Sequence, residues 1–320
     1  MKTKSILFAA LAAATALWAL PAAAGQIYVL NTTSGTIGKY DTSGATINAS
    51  LITGLSNPQS IAVSGTDLYV VNSLVGPNGS IGKYTTSGAT VNAALITGLD
   101  SPIGMVVSGT DLFVTNQKPH GFGTIGHYTT SGATVNATLF SGQPGGQGAV
   151  GVSGTDLFVG HNDLNTIGKY TTSGTTVNAS LISFQTPYGM AVSGTDLFVS
   201  SNVGQKIGHF TTSGATVNAS LLSGFNGQGI AVFDGNLYVT NPTAGTIGVY
   251  TTSGTTVNAS LISGLSGLSA GMGIAVVPEP ATWMMSAMAL VGLMGYATRR
   301  RPTARTNRTP HRHLISPISL

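Results

Sequence analysis

From Gln26 to Val277 apolar residues come in short runs that alternate with polar ones, and no stretch there keeps the 3.6-residue period of an amphipathic helix. The runs recur in sets of four, separated by Gly, Ser, Thr and Asp, the residues that turn a chain between strands. In the second set they are Ile61-Ala-Val63, Asp67-Leu-Tyr-Val-Val71, Ile81-Gly-Lys-Tyr84 and Ala89-Thr-Val-Asn-Ala-Ala-Leu-Ile96, strands a to d. An Ile-Gly-x-Tyr/Phe tetrapeptide marks strand c at Ile37, Ile81, Ile125, Ile167, Ile207 and Ile247, with spacings of 44, 44, 42, 40 and 40. A period near 40 built only from strands is the length of one propeller blade.

Counting the classes fixes the architecture. Strands b, c and d each occur six times, starting with Gln26 to Leu30, whereas strand a first appears at Ile61 and last at Gly273-Ile-Ala-Val276. The pattern predicts an all-β, six-bladed β-propeller over residues 25–277, four strands to a blade. Its three-plus-one closure pairs Gly273–Val276 with Gln26–Leu30, which leaves no free end blade to fray. Small residues in strand a suit a narrow central channel. Strand d is expected to alternate, with Val91, Ala93 and Leu95 on one face and Thr90, Asn92 and Ala94 on the solvated one.

The Gly-Ile-Ala-Val, x-Leu-Tyr-Val and Ile-x-x-Tyr/Phe runs resemble NHL-type and related six-bladed propellers over about residues 25–277. That resemblance implies a fold and no single function, since such propellers serve as lactonases, lyases, protein binders and scaffolds.

Each end reads as an address. Residues 1–24 carry Lys2 and Lys4, an apolar run from Ile6 to Leu20, Pro21, and the small residues Ala22 and Ala24. This predicts a secretory signal peptide cut before Gly25 by signal peptidase. Residues 278–301 hold Pro278, Glu279 and Pro280, then the uncharged run 281–297, then Arg299, Arg300 and Arg301. The seventeen residues of that run would make a helix of about 26 Å, enough to cross a thin bilayer core, and the arginines would stay cytoplasmic. The order Pro-Glu-Pro, apolar helix, arginine cluster resembles the PEP-CTERM sorting signal of Gram-negative bacteria that make extracellular polysaccharide. The resemblance implies export across the inner membrane, transient anchoring by the transmembrane helix, and cutting near Pro-Glu-Pro by the membrane protease exosortase. It implies a final place at the cell surface or in the matrix. Residues 302–320 read as a disordered basic tail.

Charge narrows the classes further. The net charge of +4 belongs to the ends: between Gly25 and Val277 there are five lysines, eight aspartates and no arginine, a balance of −3. A phosphate-backbone binder needs clustered Lys and Arg, so nucleic acid is set aside. Without cysteine there is no disulfide, thiolate metal site or cysteine nucleophile. The glycines sit between short strands with no helix behind them, which excludes a phosphate-cradling loop.

Catalytic side chains are scarce. The propeller has no Glu, and Asp67, Asp111, Asp156 and Asp196 recur in Ser-Gly-Thr-Asp turns, where they are expected to bond nearby backbone. Only Asp100 and Asp163 fall in connections that could face a ligand, so a carboxylate pair for acid–base work is hard to assemble. No metal site and no cofactor are expected. His127 and His209 share the third position of strand c with Lys39, Lys83, Lys169 and Val249, which predicts a solvent-reaching perimeter site. Strand b ends in Asn31, Asn72, Asn116, His161, Ser201 and Asn241. These six either cap the following turn or surround the channel mouth.

Variation among the six copies points to a working face. The a–b and c–d turns barely change, whereas the b–c and d–a connections vary and share the opposite face. They add Lys118, His120, Phe122, Phe184, Tyr188 and Phe225. Rings among amides and hydroxyls suit sugars, and equally suit a simple cover for the blade tops. Asn-Ala-Ser/Thr at Asn48, Asn136, Asn178, Asn218 and Asn258 is expected to be outer-strand polarity, not a modified site. The reading is a non-enzymatic binding or scaffold protein, with extracellular polysaccharide as a candidate partner. The alternative is a propeller-type lactonase or lyase using His161 and amides at the channel mouth.

Overall fold

The computed structural model describes residues 25–279, apart from 75, 118–122, 144–147, 202, 225–228, 266–267 and 269–272. Among the described residues twenty-four strands form six four-stranded antiparallel sheets, the blades of a six-bladed propeller. In blade 1 the order is Ile274–Pro278, Gly25–Asn31, Thr36–Asp41, Thr46–Ile52, so the last described strand completes the first blade. The seam runs from Gly25 opposite Pro278 to Val29 opposite Ile274. The six a strands touch in cyclic order and the last meets the first, which closes the ring as the repeat count predicts.

The core is six layers between blades. In strand b of blade 2, Leu68 and Val70 pack against Tyr28, Leu30 and Ile37 of blade 1, while Tyr69 and Val71 pack against Met105, Leu112 and Val114 of blade 3. Both faces of the strand are covered, hence the unbroken apolar run Leu-Tyr-Val-Val. The layer across the seam joins Ile27 and Val29 to Tyr238, Ile247 and Ile274.

The Ile-Gly-x-Tyr/Phe motif has a packing cause. Residues two apart in a strand share a face, so the Tyr or Phe ring folds back over its own glycine. A Cβ on Gly38, Gly82, Gly126, Gly168, Gly208 or Gly248 would fall 2.5 to 2.8 Å from that ring or its hydroxyl. The Thr-Ser-Gly turns are constant for a related reason. Each glycine, with φ between +91° and +100°, receives a leucine of the neighbouring blade's strand d, from Leu51 on Gly88 round to Leu261 on Gly44.

Strand d departs from the predicted alternation. Thr90 to Ala94 are all exposed, Val91 by 53%, and burial begins only at Leu95 and Ile96. Ile81 pairs with Ile96 but Lys83 with Asn92, so two steps of strand c face four of strand d. That is a bulge, and a bulge breaks the period of two. The Asn92 Oδ1 accepts the N–H of Ala94 at 3.0 Å, and Asn48, Asn136, Asn178, Asn218 and Asn258 each make the same bond two residues on. The repeated Asn thus shapes the bulge and occupies one edge donor, which blunts an edge that carries no charge.

Candidate functional site

Up-and-down blades put the a–b and c–d turns on one face and the b–c and d–a connections on the other. The first, constant face carries ion pairs that differ from expectation. Lys83 Nζ lies 2.8 Å from Asp67 and Lys169 Nζ 2.7 Å from Asp156. His127 and His209 Nε2 each lie 2.9 Å from Asp111 and Asp196. Each group also covers an aromatic ring of strand b. Lys83 Nζ sits 5.5 Å from the Tyr69 ring and Lys169 Nζ 5.6 Å from that of Phe158. His127 stacks on Phe113 at 4.7 Å and His209 on Phe198 at 4.5 Å. In blades 2 to 5 the position is therefore a half-buried partner for the turn aspartate, not a solvent-reaching perimeter site; Lys39 bonds the Thr86 carbonyl instead, and Val249 is buried. The position accepts Lys or His because either offers an N–H to the carboxylate and a flat or cationic face to the ring. The diagonal contact joins residues more than a dozen apart, which no single-strand pattern displays.

On the variable face the six residues that end strand b divide into two groups. The Oδ1 of Asn31 accepts Ser34 N–H at 3.0 Å, the Oδ1 of Asn241 accepts Ala244 N–H at 3.2 Å, and the Ser201 Oγ accepts Gly204 N–H at 2.8 Å. These cap their turns. Asn72, Asn116 and His161, on three successive blades, are 8%, 4% and 1% exposed, and each keeps a buried atom without a partner: Oδ1, Oδ1 and Nδ1. Blades 2 and 3 have b–c connections three residues longer, which moves the turn N–H that an amide would cap. The His161 Nε2 instead lies 3.0 Å from the Tyr170 hydroxyl, and burial lowers the imidazole pKa to about 4. The ring is neutral at pH 7.

The aromatic additions behave differently from one another. Phe184 is buried, edge-on to Phe210 at 5.3 Å and under Lys206 Nζ at 5.3 Å, so it roofs the layer between blades 4 and 5. Tyr188 is half-buried at the start of a strand, and burial raises its phenol pKa. His120 and Phe122, with Lys118 and Phe225, lie outside the described residues, as do Ala22, Ala24, Pro280, the run 281–297, Arg299, Arg300, Arg301 and the tail 302–320. Asp163 is exposed in its b–c turn and Asp100 half-buried before strand a of blade 3. Among the described residues no group of three or more His, Asp or Glu is placed to hold a metal ion.

Two features of this face escape the sequence patterns. A polar cavity of about 290 Å³ lies between blades 5 and 6, lined by Gln205, Gly224, Asn241, Thr243 and Ala244. Five of the six described non-glycine residues with positive φ are also here: Asn57, Ser101, Asn165, Thr186 and Gln205. Gln205 (φ +46°) and Asn165 (φ +54°) stand where blades 1 and 6 have Gly35 and Gly245. A non-glycine at a glycine position of the repeat was the available signal. Thr186 (φ +41°) is held by the Asn165 Oδ1, which accepts its N–H at 2.8 Å, and by the Ser201 hydroxyl at 3.2 Å. Strain of this kind survives only where surrounding bonds fix it.

Residues 276–301 match the PEP-CTERM protein-sorting motif. The chain carries that motif. PEP-CTERM proteins are processed by exosortase, and the motif implies export and a surface or extracellular location in Gram-negative bacteria. No curated protein matches the sequence. Among solved structures the chain is similar to one from a nidogen/laminin complex, with TM-score 0.62, 13% identity, and 79% of this chain and 98% of that one covered. It is also similar to a putative 6-phosphogluconolactonase from Bacteroides uniformis, with TM-score 0.57, 13% identity and coverage of 80% and 100%. A gluconolactonase from Xanthomonas campestris follows at TM-score 0.51, 14% identity and coverage of 69% and 84%. At these identities the likeness is one of fold.

Proposed function

We propose that this PEP-CTERM protein is an exported surface or matrix protein, anchored until its tail is cut, whose propeller binds extracellular polysaccharide without catalysis. The observation that carries the reading is placement. Gly25 and Pro278 share a rung at the a–b end of blade 1, so both ends of the propeller leave by the constant face. The variable connections, the polar cavity and the five positive-φ residues lie on the opposite face of the propeller from Gly25 and Pro278. Gln205, Asn241 and Thr243 offer amide and hydroxyl groups that match sugar hydroxyls, in a cavity at the small end of ligand sites.

The rival reading, a propeller-type lactonase or lyase using His161, draws on the names of two structural neighbours. It predicts lactone turnover that is lost on His161→Ala. The deciding experiment is co-sedimentation of the released protein with polysaccharide from its own matrix, comparing wild type with Gln205→Ala/Asn241→Ala. Saturable binding weakened about tenfold or more, the worth of one or two lost hydrogen bonds, is expected. Binding indifferent to the double variant would refute the site, and no binding at all would leave a scaffold.

A further inference from the structure

The seam of blade 1 contains part of the sorting motif itself. Strand a of that blade ends at Pro278, opposite Gly25, and Glu279 is half-buried just beyond. Ile274 is 5% exposed within the layer shared with blade 6, and Ala275, Val276 and Val277 pack against the two flanking layers. Any cut inside this strand would remove the wall that closes the ring.

Blade 1 also lacks a carboxylate that four other blades possess. On the rung where blade 2 sets Asp67 opposite Thr85, blade 1 sets Gln26 opposite Asp41, and the Gln26 Oε1 accepts the Tyr28 hydroxyl at 2.7 Å. Lys39 nonetheless holds the position of Lys83: it faces Tyr28 as Lys83 faces Tyr69, with Nζ 5.6 Å from the ring, and it donates to the Thr86 carbonyl at 3.1 Å. Glu279 follows Pro278 at the same end of the blade; burial lowers the Lys39 pKa and the negative charge of Glu279 opposes that shift, although the two groups do not come within 4 Å as Lys83 and Asp67 do. Glu279 is the only glutamate in the chain, and it arrives from the end of strand a instead of the start of strand b. Removal of a signal peptide before Gly25 would add an ammonium one rung from the same carboxylate.

We propose that Pro278 and Glu279 belong to the mature propeller, that Glu279 supplies blade 1 with the carboxylate its strand b lacks, and that the sorting cut falls C-terminal to Glu279. The cut breaks a peptide C–N bond after Glu279 or Pro280. Water or an amine takes the acyl carbon, and the departing segment leaves with a free amine. At least two of the three Pro-Glu-Pro residues thereby stay in the product. The proposal rests on the processing reading above, and its test separates the two.

The full chain would be produced in a host with exosortase and the released protein weighed by intact-mass spectrometry. A C-terminus at Glu279 or Pro280 is expected. A C-terminus at or before Pro278 overturns this inference alone, whereas a chain that retains residues 281–297 overturns it together with the processing reading. The role of Glu279 is read separately by hydrogen exchange at Ile274–Pro278 in Lys39→Met, which leaves the motif intact, with Lys83→Met as the control in blade 2. Lys39→Met should speed exchange there about two- to fivefold, the range of a weak, solvent-screened charge interaction, and Lys83→Met should not. Equal exchange in Lys39→Met and wild type would overturn the pairing.

Discussion

Acid should destabilise this propeller more than its His161→Asn variant. His161 is 1% exposed, and burial holds its pKa at about 4 against an ordinary 6.5. In the folded protein the ring stays neutral until the pH approaches 4, whereas in the unfolded chain it takes a proton as the pH falls through 6.5. Within that window the unfolded state binds more protons, so stability falls with falling pH; above 6.5 both states are neutral and the effect vanishes. Across the gap from 6.5 to about 4 the loss is about 3 kcal/mol at pH 4. For a domain of this size that lowers Tm by roughly 6–12 °C. The variant places at 161 the residue that already ends strand b in blades 1, 2, 3 and 6, so the turn accepts it. Chemical denaturation of the released protein and the variant, at steps from about pH 7.5 to about pH 4, gives the difference in slope. The His127–Asp111 and His209–Asp196 pairs are present in both proteins and cancel from the difference. Parallel stability curves would refute the claim that His161 is buried neutral.

Two other substitutions test the packing. Gly82→Ala puts a methyl group 2.7 Å from the buried Tyr84 ring, and a loss of about 1–3 kcal/mol is expected in denaturant unfolding; an unchanged midpoint would mean that the ring does not lie on the glycine. Ile274→Asp places a charge in the seam layer and should cost about 3 kcal/mol or more, with exchange of Gly25–Asn31 amides accelerating ahead of the other five b strands. Uniform acceleration round the ring would contradict closure at that seam.

The candidate site was legible in part. Asn31, Asn72, Asn116, His161 and Asn241 were visible as one repeat position, because copies within a chain can be compared without a partner sequence. That Asn31 and Asn241, with Ser201 at the same position, cap turns while Asn72, Asn116 and His161 keep an unpaired buried atom depends on loop length and on where the next N–H falls, which a residue list does not contain. Gln205 and Thr243 went unnoticed because a cavity between blades belongs to two connections far apart in the chain. Phe184 looked available as a lone aromatic in a connection, yet the ring of Phe210 on the neighbouring blade takes it.

By itself the sequence determined the blade count, the shared first blade and the sorting motif, because a period of about 40, a missing first strand a and an ordered run of Pro-Glu-Pro, apolar residues and arginines are one-dimensional features. Only the tertiary structure decided which side chains meet. The Lys and His of strand c find the turn aspartates diagonally across a hairpin, and the outer strand loses its alternation to a bulge. Pattern along a chain records the period of an element, whereas ion pairs, bulges and seams depend on register between elements, and register is settled by packing.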